Sequence, residues 1–179
     1  DADSFDLMIA NRLEPEIYSF RSLEDFAAAV DHAGESRFPI HVKLDTGMHR
    51  LGFVEEELPR LCERLRGCGQ VRVASIFSHL NCADMPEEDA YTRAQIARYD
   101  RMSSTLAASL DYPVLRHTAN SAAIERFPEA QFDMCRLGLG LYGFGWEHNA
   151  GLRPVSALKT RIVQIKRLEA GDAVGYGRA

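Results

Sequence analysis

The stretch Lys43-Leu44-Asp45-Thr46-Gly47-Met48-His49-Arg50-Leu51-Gly52-Phe53 decides how the rest of this chain is read. Leading into it, Ile40-His41-Val42-Lys43-Leu44 alternates apolar and polar side chains at the two-residue period of a strand. After Leu44, two glycines, a basic pair and a threonine crowd into a tight loop. A strand that delivers Lys43, Asp45 and Arg50 into such a loop is how a β/α barrel builds the rim of an active site. An ordinary strand-to-helix turn with solvated charges has the same spacing, and the spacing alone leaves both readings open.

The 179 residues suffice for one sizeable core with a little to spare. A hydrophobic share of 46% and a charged share of 26% are those of an ordinary globular protein. The net charge is -5 and no Lys/Arg run exceeds two residues, which argues against nucleic acid or an anionic membrane as partner. No apolar run approaches the roughly 18 residues of a spanning helix, and no secretory signal is expected. Cys62, Cys68, Cys82 and Cys135 show neither CxxC pairing nor a disulfide rhythm, so reduced thiols in a cytoplasm are expected and a bound metal is not. With no initiator Met and an abrupt end at Gly177-Arg178-Ala179, the chain is expected to be a piece of a longer protein.

Strand-like runs recur at Glu16–Phe20, Ile40–Leu44, Val71–His79, Pro113–Thr118 and Met134–Tyr142. Helical patterns lie between most of them. One starts at Ser22, with Leu23, Phe26, Ala27 and Val30 at helical spacing. A second covers Glu55 to Arg66 with its Pro59 in the first turn. The longest runs from Glu87 to Leu110, with Tyr91, Ala94, Tyr99, Met102, Leu106 and Leu110 as its expected buried side. A short one spans Ser121–Arg126. This alternation predicts an α/β fold of parallel strands joined by crossovers, either doubly wound or part of a (β/α)8 barrel. No GxGxxG follows a strand, which weakens the dinucleotide-binding version. Beyond Trp146 the pattern changes. Leu152–Leu168 is β-branched and alternating with no helix after it, the expected start of an all-β domain, with a boundary near residues 146–152.

The strand ends collect Lys43, Asp45 and Arg50, then His79, Asn81 and Asp84, then His117, Asn120 and Ser121, then Arg136, Gly138 and Leu139. The set suits an anionic ligand. Asn120-Ser121 opening a helix fits either a phosphate cradle or a plain N-cap. Glycines at 138 and 140 allow close backbone approach or simply relax a strand. His79 and His117, with Asp45 or Asp84, are either metal ligands or structural histidines. Tyr176, between Gly175 and Gly177, is either a base or a strand tyrosine.

Five stretches together resemble the alanine racemase family, pyridoxal 5'-phosphate enzymes of fold-type III. They are Lys43–Phe53, Ser78-His79-Leu80 with Cys82-Ala83-Asp84, His117 through Ala123, Arg136-Leu137-Gly138 through Tyr142-Gly143, and Val174-Gly175-Tyr176-Gly177, in family order and spacing. The resemblance implies a (β/α)8 barrel carrying the cofactor, then a β domain, in a head-to-tail homodimer. It makes residues 1–148 the C-terminal portion of the barrel, about five βα units, and 149–179 the truncated beginning of the β domain. It implies interconversion of L-alanine and D-alanine, the latter for cell-wall peptidoglycan, in the cytoplasm. In the family, the arginine matching Arg136 donates to the cofactor's pyridine nitrogen and keeps it unprotonated. The histidines matching His79 and His117 link that arginine to the catalytic tyrosine, matched by Tyr176. The serine matching Ser121, with the amides matching Gly138 and Leu139, grips the phosphate, and Asn120 lies beside it. The arginine matching Arg50 contacts the phenolic oxygen, positioned by a lysine, matched by Lys43, that is often carbamylated.

The resemblance also exposes an absence. Racemisation needs two bases on opposite faces, and the second is the lysine that holds the cofactor, in a motif upstream of anything in this chain. Lys43 belongs to another motif, and Lys159 and Lys166 fall in the β-type tail. By itself the chain is expected to be inactive, and its open barrel edges are expected to make it self-associate or rearrange. His49 and Leu139 depart from the commoner family residues. The competing readings are a broad-specificity amino-acid racemase, a decarboxylase of the same fold (against which Arg136 speaks), a non-catalytic module carrying pyridoxal phosphate, and a metal-dependent barrel hydrolase.

Overall fold

The structure, a computed structural model, describes residues 4–146 and 151–178. Its elements are α1 (Phe5–Ala10), β1 (Glu16–Ile17), α2 (Phe20–His32), β2 (Phe38–Lys43), α3 (Leu58–Arg66), β3 (Val71–Phe77), α4 (Asp89–Ala108), β4 (Leu115–His117) and α5 (Ser121–Arg126). The four strands form one parallel sheet in the order β1-β2-β3-β4. A doubly wound sheet reverses its strand order at a switch point. This one never does, and each neighbour follows its predecessor as in a barrel wall that is not closed.

One face of the sheet carries Ile40, Val42, Val73 and Ile76, all buried. The helices cover it with Leu23, Phe26 and Val30 from α2, Leu61 and Leu65 from α3, and Tyr99, Met102 and Leu106 from α4. Fully burying one such side chain contributes about 1.5–3 kcal/mol, so this layer is the main source of stability. Helix α2 begins two residues before the expected Ser22. Ser19 caps it, its hydroxyl accepting from the Ser22 amide while the Ser22 hydroxyl accepts from the Ser19 amide, both at 3.1 Å. In α4 the expected buried stripe holds from Tyr99 onward. Before it, Thr92, Gln95 and Ile96 turn inward and Tyr91 and Ala94 outward, because Tyr91 and Gln95 reach sideways to loops.

Two expected strands are absent. Met134–Tyr142 runs beside the end of β4 at a constant offset, its amides donating one way: Asp133 to Arg116 O, Arg136 to Ala119 O (both 3.0 Å) and Gly138 to the Ser121 hydroxyl (2.9 Å). It stops short of a strand because the backbone leaves the extended region at Gly138 (φ -106, ψ -93) and coils into a 3-10 turn at Leu139–Tyr142. Leu152–Leu168 forms no ladder with any described residue, and Leu158, Ile162, Val163 and Ile165 lie exposed. An alternating β-branched run becomes a strand only when a neighbour takes its N–H and C=O groups. Among the described residues, no helix is long and apolar enough to cross a membrane.

Candidate functional site

The loop after β2 closes on itself. Asp45 N donates to Phe53 O at 2.8 Å and Phe53 N to Lys43 O at 2.9 Å, so the chain returns to the strand it left. The Asp45 carboxylate accepts from the amides of Gly47 (2.9 Å) and His49 (3.0 Å), which occupies it inside its own loop. Ser78 donates to Leu44 O and accepts from Thr46, both at 2.8 Å, tying this loop to the one after β3. From α4, Tyr91 donates to Gly47 O (2.7 Å) and Arg98 to Thr46 O (3.2 Å). The loop is thus a rigid shelf for Arg50.

At the carboxyl ends of the strands lies a cavity of about 450 Å³, lined by Lys43, Arg50, Phe77, His79, His117 and Arg136, with Glu14, Glu16, His41 and Met134 along its flank. Arg136 is its centre. Its guanidinium donates to Ser78 O at 2.8 Å, to His117 Nδ1 at 2.7 Å and to His79 Nδ1 at 3.3 Å, and lies 5.3 Å over the Phe77 ring. No described carboxylate stands within ion-pair distance of it. Burial accordingly pulls its pKa down, the direction expected for a cation kept from water. Beside it, the Lys43 ammonium pairs with Glu16 at 2.8 Å and faces Phe77 at 5.5 Å.

Both histidines stay neutral. Burial lowers the pKa of His79, and the charges of Arg136, Arg50 and Lys43 lower it further. Burial, then Arg136 and His41, takes His117 from 6.5 to about 4. Between those values the unfolded chain binds a proton that the folded chain does not. Stability is therefore complete above about pH 6.5 and falls as the pH drops toward 4. Replacing His117 by Gln is expected to flatten that slope by up to about 3 kcal/mol. Urea unfolding at stepped pH checks this: parallel stability curves for parent and variant would refute it.

The next loop carries Asn120, Ser121, Gly138 and Leu139. Asn120 is the N-cap of α5, its side-chain oxygen accepting from Ala123 N at 3.0 Å while its amide donates to Leu80 O at 3.3 Å. The amides converging on the Ser121 hydroxyl are those of Gly138 (2.9 Å) and Gly140 (3.2 Å). Leu139, expected beside Gly138, begins the 3-10 turn with its side chain exposed. Ser121 does not line the Arg136 cavity, but Arg136 N bonds to Ala119 O two residues before it. Tyr176 lies apart, fully exposed, because no strand carries its segment to the sheet. His79, His117 and Asp45 do not converge, and no group of three or more metal-ligating side chains occurs among the described residues.

Glu14, Glu16, His41 and Ser75 reach this site without having been singled out in the sequence. A signal for two of them existed. Buried parallel strands run to Val, Ile and Leu, so His41 and Ser75 inside such runs are out of place unless they serve a polar interior. Pyridoxal 5'-phosphate fits what is present: a half-buried guanidinium without a carboxylate suits a neutral ring nitrogen, and the Ser121 hydroxyl with the amides of Gly138 and Gly140 suits a phosphate.

Residues 1–145 match the family model described as alanine racemase, N-terminal domain. An alanine racemase of Symbiobacterium thermophilum is 40% identical over 142 residues, covering 77% of this chain and 37% of that one. Among solved structures, the alanine racemase from Streptomyces coelicolor A3(2) superposes with a TM-score of 0.88 at 29% identity, covering 97% of this chain and 48% of that one. The Bartonella henselae alanine racemase, with covalently bound pyridoxal phosphate, superposes with a TM-score of 0.68 at 25% identity, covering 86% and 42%. The chain thus spans half or less of the length of these relatives. An unreversed parallel sheet with a carboxylate-free arginine at its carboxyl edge, matched by such relatives over most of its length, has one reading: the chain belongs to the alanine racemase family.

Proposed function

We propose that this chain supplies the cofactor-binding half of an alanine racemase that interconverts L-alanine and D-alanine. The observation that carries the reading is the Arg136 guanidinium, half-buried, unpaired by any described carboxylate and held by two neutral imidazoles. Arg136 would hold the ring nitrogen of pyridoxal 5'-phosphate, Arg50 its phenolic oxygen, and Ser121 with the amides of Gly138 and Gly140 its phosphate, with Leu139 between them and Asn120 fixing that corner. When bound, the cofactor supplies a sink for the electron pair left as the α-proton departs. Because an arginine keeps its proton, Arg136 offers the ring a hydrogen bond rather than a proton. His79 and His117, both neutral, accept from the guanidinium and add no competing charge. Lys43 and its partner Glu16 set the electrostatics around Arg50. Tyr176 holds and returns the proton on the L-alanine face once its segment is brought to the cavity.

The opposite face needs a second base. The chain has three lysines: Lys43 is bound to Glu16, and Lys159 and Lys166 lie in the tail. The 179 residues alone therefore bind the cofactor non-covalently and do not racemise. The working enzyme is a homodimer in the cytoplasm, serving peptidoglycan synthesis. Joining the chain to an upstream segment with the family's cofactor lysine is expected to produce a cofactor absorbance band and L- to D-alanine conversion. If the joined protein binds cofactor yet racemises other amino acids as fast as alanine, the broad-specificity alternative takes over. If neither signal appears, the proposal fails.

A further inference from the structure

Behind Arg136 a file of side chains crosses the polar face of the sheet. Arg136 Nη1 lies 2.7 Å from His117 Nδ1, His117 Nε2 lies 2.9 Å from Ser75 Oγ, Ser75 Oγ lies 2.7 Å from His41 Nδ1, and His41 Nε2 lies 2.8 Å from a Glu14 carboxylate oxygen. Each ring offers one nitrogen to each neighbour. The ends settle the direction. An arginine has only donors and an ionised glutamate only acceptors. With Arg136 donating, His117 Nδ1 carries a lone pair and Nε2 the proton, which goes to Ser75 Oγ. The serine hydrogen then goes to His41 Nδ1, leaving the His41 Nε2 proton for Glu14. Four contacts use four protons and four acceptors, with none left over. If His41 carried two protons, Ser75 would face two donors and its own hydrogen would lose this partner.

We propose that Glu14, His41 and Ser75 are positioning residues, which act through His117 to anchor Arg136 and fix one direction of hydrogen bonding from the carboxylate to the guanidinium. The file balances a half-buried cation that has no described carboxylate within ion-pair distance. Glu14 provides the negative end at a distance, and each oriented hydrogen bond polarises the next. The ring nitrogen of a cofactor then meets an arginine held in one orientation with its charge intact. That last consequence rests on the reading of the site given above; the direction of the file does not.

The test uses the 179-residue chain with ¹⁵N-labelled histidine at neutral pH, where two-bond proton–nitrogen spectra distinguish protonated from lone-pair ring nitrogens. Both His41 and His117 are expected as single Nε2-protonated tautomers. Ser75→Ala removes the acceptor of the His117 N–H and should speed its exchange with water by about tenfold, the worth of one lost hydrogen bond. Ser75→Thr, which keeps the hydroxyl, should restore it. Glu14→Ala, at an exposed position, should let His41 populate both tautomers and shift the His117 ring signals in the same direction as Ser75→Ala, by less. Either ring protonated at Nδ1 in the parent, a doubly protonated His41, or unchanged spectra in both Ser75→Ala and Glu14→Ala would overturn the proposal. Pyridoxal phosphate titrated into the same samples reports on the cofactor separately. Correct tautomers without binding would fault the functional reading, and binding with wrong tautomers would fault the file.

Discussion

Replacing Arg136 by alanine is expected to weaken pyridoxal 5'-phosphate binding to this chain by about 10- to 100-fold, the worth of one charged hydrogen bond in a partly dry site. The same substitution should raise the titration midpoint of His117. Burial is the larger cause of its lowered pKa, but the Arg136 charge is the next, and only the second is removed. Arg136→Lys should keep most of the effect on His117 and lose most of the binding. One ammonium cannot reach Ser78 O, two imidazoles and a ligand together as the planar guanidinium does. Fluorescence titration with the cofactor and proton spectra of His117 read the two effects independently. Unchanged affinity in Arg136→Ala would remove Arg136 from the site, whatever His117 does.

Gly52→Ala is expected to be the most damaging single change in the rim. Gly52 sits at φ +129, outside the range that side chains tolerate, and a Cβ there would stand 2.6 Å from Asp45 N and 2.8 Å from Leu44 C. Both obstacles are backbone at the point where the loop returns to its strand, so neither can swing away. Strain and overpacking together should cost about 3–5 kcal/mol. That lowers the melting temperature by roughly 10 °C for a chain of this size. Because the distortion lands between Lys43 and Arg50, cofactor affinity should fall with it. Gly34→Ala is the control: its φ is also positive, at +68, but nothing lies within 4 Å of its Cβ position, so it should cost about 1–2 kcal/mol. Equal melting temperatures for the two variants would show that the loop yields where the packing says it cannot.

Much of the site was legible at the level of residue types. Lys43, Arg50, His79 and His117 lie at or just beyond the ends of strand-like runs and Arg136 lies within one, and the structure brings all five around one cavity. Periodicity located α2, α3 and α4 because their apolar faces repeat at the helical period over a core that exists within these residues, while α5 was marked by its place after a strand and before Pro128. It failed where an element needs a partner. Met134–Tyr142 and Leu152–Leu168 have the composition of strands, yet a strand is made by the chain beside it, and no composition supplies that neighbour. Tyr176 followed its segment into solvent for the same reason. Asn120 shows a finer limit. The pattern allowed a cradle or a cap, and the measured bond to Ala123 N assigns its side-chain oxygen to the cap.

The amino-acid order alone fixes the covalent spacing of Lys43 to Gly52, the helical faces, the alternation that makes a parallel sheet, and a supply of only three lysines, Lys43, Lys159 and Lys166. These are local or additive properties, so they survive without knowledge of the fold. The partnership of His41 with Ser75 is different. Phe38, Pro39 and Ile40 pair in step with Val71, Arg72 and Val73, but the register then skips Ala74, so His41 meets Ser75 and Lys43 meets Phe77. Without that one-residue bulge, Ser75 would pair with Val42 and point to the helix side. A slip of one residue moves every later side chain to the other face, and only packing on both faces of the sheet decides where it occurs.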